Sequence, residues 1–210
     1  MRRLRVIGLT GSIGMGKSTA AAMLQRLGLP IFDADATVHR LFARGGAAVA
    51  PVEAAFPGVV VDGAVNRAAL GPRVFGNPEA LRRLERIVHP LVGQAERAFL
   101  RRAGLQRRRL AVRDVPLLFE TGGNRRCDAT IVVSAPAHVQ AQRVLRRPGM
   151  TMERLNQVRR QQMPDAQKRR RADFVVPTGL GKRATWTRLS AIVSRLRAHP
   201  PIRHDRALRR

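Results

Sequence analysis

The chain of 210 residues has one cysteine, Cys127, and no tyrosine. A lone cysteine excludes an internal disulfide and a multi-cysteine zinc site, and makes a reduced, cytoplasmic setting the expected one. One tryptophan and seven phenylalanines are few for the aromatic platforms on which single-stranded nucleic acid stacks. Acids are scarce too: 14 Asp plus Glu stand against 40 Lys plus Arg, a formal charge of +26, and only Lys17, Lys168 and Lys182 among the basic residues are lysines. No apolar run reaches the length of about 18 residues expected of a membrane span. The apolar stretch after Arg2, Arg3 and Arg5 is only about five residues, too short for the core of a signal peptide. It reads instead as a first strand.

What is present is enough for a folded domain. The apolar fraction is 44%, and a chain of this length buries a core without staples. The positive charge has two readings. It is either an arginine-rich composition spread over a solvated surface, or an attraction to nucleotides, other phosphorylated small molecules or nucleic acid. Charge alone does not choose between them.

Five short apolar runs read as strands: Val6–Thr10, Pro30–Asp33, Leu110–Val115, Ala129–Ser134 and Asp173–Val176. They are continuous rather than alternating, as expected of strands covered on both faces in a parallel sheet. Helical patterns fall between them, at Lys17–Leu27, Ala36–Ala43, Leu70–Phe75, Pro78–Ala103, Ala137–Leu145 and Lys182–Ala198. The fold class expected is α/β, a parallel five-stranded sheet flanked by helices. About 75 residues separate the second and third strands, too many for a simple crossover, so 36–105 is expected to form a helical substrate-binding region. A second excursion, about 150–172, is rich in Arg and Gln. One domain over 1–199, followed by a basic, aperiodic tail at 200–210, is the expected organisation.

The sharpest motif is Gly11-Ser12-Ile13-Gly14-Met15-Gly16-Lys17-Ser18, a match to G-x-x-x-x-G-K-[ST] placed between an apolar strand and a helix. Glycines let the backbone turn successive N–H groups toward a phosphate, and the helix that follows adds the positive end of its dipole. Lys17 has the reach for the β- and γ-phosphates, Ser18 offers a hydroxyl to Mg²⁺, and Thr19 extends the nucleotide side of the loop. The motif predicts ATP binding. The D-x-x-G and N-K-x-D signatures of a GTPase do not occur in the sequence. The size and the two excursions favour a small-molecule kinase that closes over its substrate to exclude water.

Ile31-Phe32-Asp33-Ala34-Asp35 ends the second strand with two carboxylates. If both stay in strand they share one face, at the end of an open α/β sheet where ligands bind. Asp33 is then placed to orient an acceptor hydroxyl and take its proton. The alternative is that these acids cap the next helix, expected from Ala36; Asp35 reads as a cap or a secondary substrate ligand.

Several segments together resemble the dephospho-coenzyme A kinase family. They are Gly8–Ser18, Asp33-Ala34-Asp35, Val88-His89-Pro90-Leu91, Asp114-Val115-Pro116-Leu117-Leu118-Phe119-Glu120, Arg159-Arg160-Gln161-Gln162-Met163 and Ala172-Asp173-Phe174-Val175. The resemblance spans about 4–198. It implies a phosphate-loop kinase fold with a coenzyme-binding helical region and a lid at about 150–172. It implies transfer of the ATP γ-phosphoryl group to the ribose 3′-hydroxyl of dephospho-coenzyme A, with Mg²⁺. By position, Asp33 matches the family's proposed base, and Arg143 an arginine that meets ATP phosphates. The chain departs from the family after Val176, where an Asn is frequent and Pro177-Thr178-Gly179 stands instead.

Other residues carry weaker signals. Arg143, with Arg147 behind it, offers a planar guanidinium to phosphoryl oxygens, although arginines here are mostly a solvated background. His89-Pro90 lies within a helical pattern, where proline is expected either to kink the helix and aim His89 at the substrate, or to break it. Asp114 ends the third strand and can hold a metal-bound water. Leu117 and Phe119 can wall the acceptor site or pack the core, and Glu120 can contact substrate or start a helix. Lys168 is expected in the lid or on the surface. Alternatives to the leading reading are another small nucleoside or nucleotide kinase, and an ATP-regulated nucleic-acid-binding protein. The partner expected is the small-molecule substrate, without a specific nucleic acid or membrane, in a monomer.

Overall fold

The computed structural model describes residues 3–198; the basic tail expected at 200–210 lies outside the described residues. The described residues gather into two compact units: one made of 3–32 and 103–198, the other of 33–102.

The first unit is built on a five-stranded sheet. Strand β1 is Arg5–Thr10 and helix α1 is Lys17–Arg26. Strand β2, Ile31–Asp33, comes next. The second unit then contributes α2 (Ala34–Phe42), α3 (Val49–Ala55), a short hairpin of β3 (Val60–Val61) and β4 (Ala64–Val65), and α4 (Arg67–Val74). The long helix α5, Pro78–Leu105, begins in this unit and ends in the first. There follow β5 (Leu110–Asp114), β6 (Ala129–Ser134), α6 (Ala137–Leu145), α7 (Met152–Gln161), α8 (Asp165–Arg171), β7 (Phe174–Pro177) and α9 (Lys182–Ala198).

The strand order is β2-β5-β1-β6-β7. Strand β1 pairs in parallel with β5 and β6, and β6 with β7. All five expected runs are therefore strands, each within a residue or two of the expected bounds. β5 and β6 are buried throughout, which is why they read as unbroken apolar runs. Ile7, Leu9, Val112, Ile131 and Val133 of the sheet join Leu24 of α1 and Leu189, Ile192 and Val193 of α9 in the core. The second unit has its own core of Phe42, Val52, Phe56, Val59, Leu70 and Val88.

The middle of the chain departs most from expectation. Helix α5 is not broken at His89-Pro90; it runs through the proline. An interior proline costs a helix about 3 kcal/mol or more. Here apolar residues on both sides of it, buried Val88 and the partly buried Leu84, Ile87, Leu91 and Val92, pack against the second core and offset that cost. The hairpin lies outside the elements expected from the sequence, although Asp62-Gly63 carries its signature. Both residues have positive φ (51° and 76°), as a tight two-residue turn between twisted strands requires.

Candidate active site

The loop Gly11–Gly16 joins β1 to α1, and its shape depends on glycine. A Cβ on Gly11 would lie 2.4 Å from Val133 Cγ2, and one on Gly14 would lie 2.6 Å from Val144 Cγ2 and 3.0 Å from the Gln140 carbonyl. The first glycine lets the loop pass over β6, the second lets it meet α6. Gly14 and Gly16 also have φ of 74° and 85°, a region costly for residues with a side chain. Gly16 precedes α1 directly, and no side chain of the described residues caps that helix. Its first N–H groups therefore point into the loop, an arrangement suited to anions. Ser18 and Thr19 are exposed on the first turn, while Ser12 and Met15 are buried and Ile13 is half-buried.

Lys17 Nζ lies 2.6 Å from Asp114 Oδ1. Asp114 is the last residue of β5 and only 3% exposed. Because β5 and β1 are neighbours in register, with Leu9 opposite Asp114, the carboxylate is delivered to the root of the phosphate loop.

Arg143, in the last turn of α6, bridges that loop to the end of β7. Its Nη2 donates to the Thr178 carbonyl at 2.7 Å and its Nη1 to Thr178 Oγ1 at 3.1 Å, with the Gly14 carbonyl at 3.5 Å. Thr178 Oγ1 donates in turn to the Met15 carbonyl at 2.8 Å. Arg147 is exposed, one turn beyond. Thr178, at the position where the sequence departs from the family pattern, is thus a buried hub of the site. The departure itself is the only sequence signal pointing to it.

Asp33 closes β2 and caps α2, its Oδ1 accepting from the Ala36 N–H at 2.9 Å. The helix therefore starts two residues earlier than expected, at Ala34. Asp35 is not on a shared strand face with Asp33; it sits exposed in the first turn of α2. The cap turns the chain from extended to helical between the two acids. In the second unit, His89 is exposed on α5 and borders an open surface hollow with Arg82, Glu85, Arg86 and Pro90 of the same helix.

After β5, Leu117 is 40% exposed, whereas Leu118 and Phe119 are packed inside at 0% and 5%. Glu120 Oε1 takes the Met163 N–H at 2.8 Å and lies 3.0 Å from Lys168 Nζ; its Oε2 is buried without a hydrogen-bond partner among the described residues. Lys168 is not a surface residue. It is fully buried in α8 and reaches the Pro116 carbonyl at 3.3 Å as well. An ammonium is tolerated there because a carboxylate and a carbonyl meet it. Burial would raise the Glu120 carboxyl, but the Met163 N–H and the Lys168 ammonium outweigh it and hold the group below the usual carboxylate value.

Two further side chains touch the phosphate loop. Gln162, just past α7, accepts the Ile13 N–H at 3.0 Å, and Gln140 of α6 donates to the Ile13 carbonyl at 2.8 Å. Gln162 lies in the family-like segment Arg159–Met163, though without an assigned role, whereas Gln140 carries no signal of its own in the sequence. Among the described residues, no group of three or more His, Cys, Asp and Glu side chains is clustered for a metal, and no helix is long and apolar enough to cross a membrane.

Known proteins place this arrangement in a family. A protein-family model described as dephospho-CoA kinase matches residues 5–180. A dephospho-CoA kinase of Paramagnetospirillum magneticum is 66% identical over 198 residues, 94% of this chain and 93% of its own. That of Rhodospirillum rubrum is 59% identical over 92% of each chain. Among solved structures, a Thermus thermophilus protein superposes with a TM-score of 0.80 at 37% identity, over 92% of this chain and 98% of that one. A dephospho-CoA kinase from Campylobacter jejuni, 20% identical, shares the fold with a TM-score of 0.64 over 91% and 97% of the two chains. With a phosphate loop heading α1 and matches of this extent, the chain belongs to the dephospho-CoA kinase family.

Proposed function

We propose that the protein transfers the γ-phosphoryl group of ATP to the ribose 3′-hydroxyl of dephospho-coenzyme A, giving coenzyme A and ADP. The observation that carries this reading is the family match over 5–180 on a chain whose glycine loop opens onto the uncapped first turn of α1. The loop N–H groups of Gly14–Ser18 hold phosphate oxygens, and Lys17 leaves Asp114 to meet the β- and γ-phosphates. Arg143 steadies the negative charge that spreads over the transferred group, with Arg147 as a peripheral contact. Ser12, Ile13, Met15 and Thr19 complete the nucleotide side.

The donors fit Mg²⁺. Ser18 offers a hydroxyl and Asp114 a carboxylate, both hard oxygens, and the lack of a larger acidic cluster among the described residues suits an ion shared with substrate phosphates. When bound, the ion would supply charge neutralisation between the phosphate oxygens.

Asp33 takes the proton of the acceptor hydroxyl as the new P–O bond forms and the bond to the ADP oxygen breaks. Its Oδ1 is engaged by the Ala36 N–H, so Oδ2 is the oxygen assigned to the proton. Asp35, His89, Leu117, Phe119 and Glu120 form the acceptor side in this reading. Leu117 has the exposure to meet substrate directly, whereas Phe119 is packed inside and Glu120 is engaged by the Met163 N–H and Lys168. The region 36–105 holds the acceptor, and 150–172 serves as the lid. A cytoplasmic monomer is the setting proposed.

The test is ADP formation from Mg·ATP with and without dephospho-coenzyme A, with adenosine and AMP as comparison acceptors. Stimulation by dephospho-coenzyme A alone, with a product of the mass of coenzyme A, is expected. Stimulation only by another acceptor would keep a kinase and overturn this substrate. Asp33→Asn is expected to lower kcat by at least about a hundredfold with ATP binding near normal.

A further inference from the structure

Ile13 is held on both sides of its own residue by side chains from outside the phosphate loop. Its N–H donates to Gln162 Oε1 at 3.0 Å, and its carbonyl accepts from Gln140 Nε2 at 2.8 Å. Gln140 is 4% exposed, so a misdirected carboxamide there would be costly. Its direction is fixed by Arg159, whose Nε and Nη2 both donate to Gln140 Oε1, at 3.1 and 2.7 Å. A guanidinium has donors only. It must therefore face the oxygen of the carboxamide, which turns the nitrogen toward Ile13. Arg159 lies in the last turn of α7, and Gln162 is three residues on, just past its end. One end of α7 thus supplies both the direct contact to the Ile13 N–H and, through Gln140, the contact to its carbonyl.

We propose that Gln140, Arg159 and Gln162 are positioning residues for nucleotide binding, fixing the backbone at Ile13 and so pre-shaping the phosphate loop before ATP arrives. The proposal rests on the reading of the protein as an ATP-dependent kinase. The loop is short, and Gly14 and Gly16 follow Ile13 with backbones that can adopt many other conformations. Without a clamp upstream, nucleotide would have to select the phosphate-binding shape from that ensemble. Selection of this kind weakens apparent affinity in proportion to the rarity of the competent state. The clamp removes part of that loss. By linkage, nucleotide that favours the clamped loop also favours the docked position of α7, so occupancy of the loop is transmitted to the segment 150–172.

The experiment measures equilibrium binding of Mg·ATP by calorimetry, without acceptor, in the full chain and in Gln162→Leu, Gln140→Leu and the double variant. Each single change is expected to weaken binding about threefold to tenfold, the span of one lost hydrogen bond. The double change should fall short of the product of the two, because both act on one backbone segment. Amide hydrogen exchange supplies a readout that general destabilisation would not reproduce. The Ile13 N–H should exchange faster in Gln162→Leu while those of Ile7 and Leu9 in β1 keep their rates. Gln162→Glu, which retains the acceptor oxygen, should restore protection at Ile13. Binding within twofold of the parent in both single variants, or an unchanged Ile13 exchange rate, would overturn the proposal. If Gln140→Leu fails to fold, Gln162→Leu, at a half-buried side chain, carries the test. A parent protein that binds Mg·ATP but ignores dephospho-coenzyme A would sink the substrate reading and leave this inference standing.

Discussion

Two of the three lysines form close pairs with carboxylates, and the pairs are built in opposite ways. At the phosphate loop, Lys17 meets Asp114 at 2.6 Å, with the lysine side chain 17% exposed and the aspartate 4%. At the root of α8, Lys168 meets Glu120 at 3.0 Å, with the lysine at 0% and the glutamate at 18%. In the first pair the acid is sunk in the sheet and the ammonium sits on a flexible stem that still touches solvent. The ammonium can swing to another anion without itself entering the core, and the buried Asp114 carboxylate then loses its partner. In the second pair the ammonium is enclosed, and the Pro116 carbonyl shares it. The same two functional groups thus give an exchangeable contact in one place and a fixed joint in the other. Exposure of the cation, more than the distance between the charges, makes the difference.

The comparison can be broken most severely at Lys17. Lys17→Met is expected to lower kcat/KM for ADP formation by about a thousandfold or more, and to lower the melting temperature too, because the buried Asp114 carboxylate is left without its ammonium. Lys17→Met/Asp114→Asn should recover part of that stability and none of the activity; recovered activity would contradict the role given to Lys17. Lys168→Met should act chiefly on stability. It strands a largely buried carboxylate, at a cost of about 2–3 kcal/mol, below the range for fully buried pairs because Glu120 keeps some exposure. For a chain of this size that is about 5–10 °C in melting temperature, measurable by calorimetry. The double variant Lys168→Met/Glu120→Leu should recover part of the loss, since it removes both charges together.

Nucleotide sharpens the contrast. A fixed high concentration of Mg·ATP is expected to raise the melting temperature of Lys168→Met about as much as that of the parent, but to protect Lys17→Met several-fold less, because ligand stabilisation grows with the logarithm of concentration over Kd.

The smallest effect is a pH dependence. Glu120 is held below its ordinary value in the folded state. Its contribution to stability is therefore present above the usual carboxylate range and fades as pH falls below about 4.5 toward the lowered value. Glu120→Gln should be less stable than the parent at neutral pH. The gap in melting temperature should narrow on acidification through that window. A gap that is constant or widens would contradict the assignment.

The sheet is legible in the sequence because its strands are buried on both faces, and a continuous apolar run as short as Ala129–Ser134 suits a covered strand better than a surface helix or a loop. The phosphate loop is legible because its glycines answer to backbone geometry that other residues tolerate poorly. Side-chain environment is not legible. Lys168 carries the same letter as Lys182, and only the fold reveals that one is enclosed while the other is exposed. Gln140 and Gln162 are 22 positions apart and meet at Ile13 through packing between segments that no local pattern records. Helix α5 shows a related limit. Local sequence rightly flags Pro90 as unfavourable, but the outcome is decided by apolar contacts on either side of it.

The order of the sheet has a consequence for how the protein is made. Strand β1 lies between β5 and β6, whose residues begin at Leu110 and Ala129. A ribosome therefore releases β1, the phosphate loop and α1 long before either neighbouring strand exists. Until then the apolar run Val6–Leu9 has no ladder to join, and such exposed strands are open to mispairing. Pairings so distant along the chain are slow to form. The segment 33–102, which carries its own core, can gather while β1 waits. The phosphate loop, among the earlier segments to be synthesised, is then among the later ones to acquire its shape.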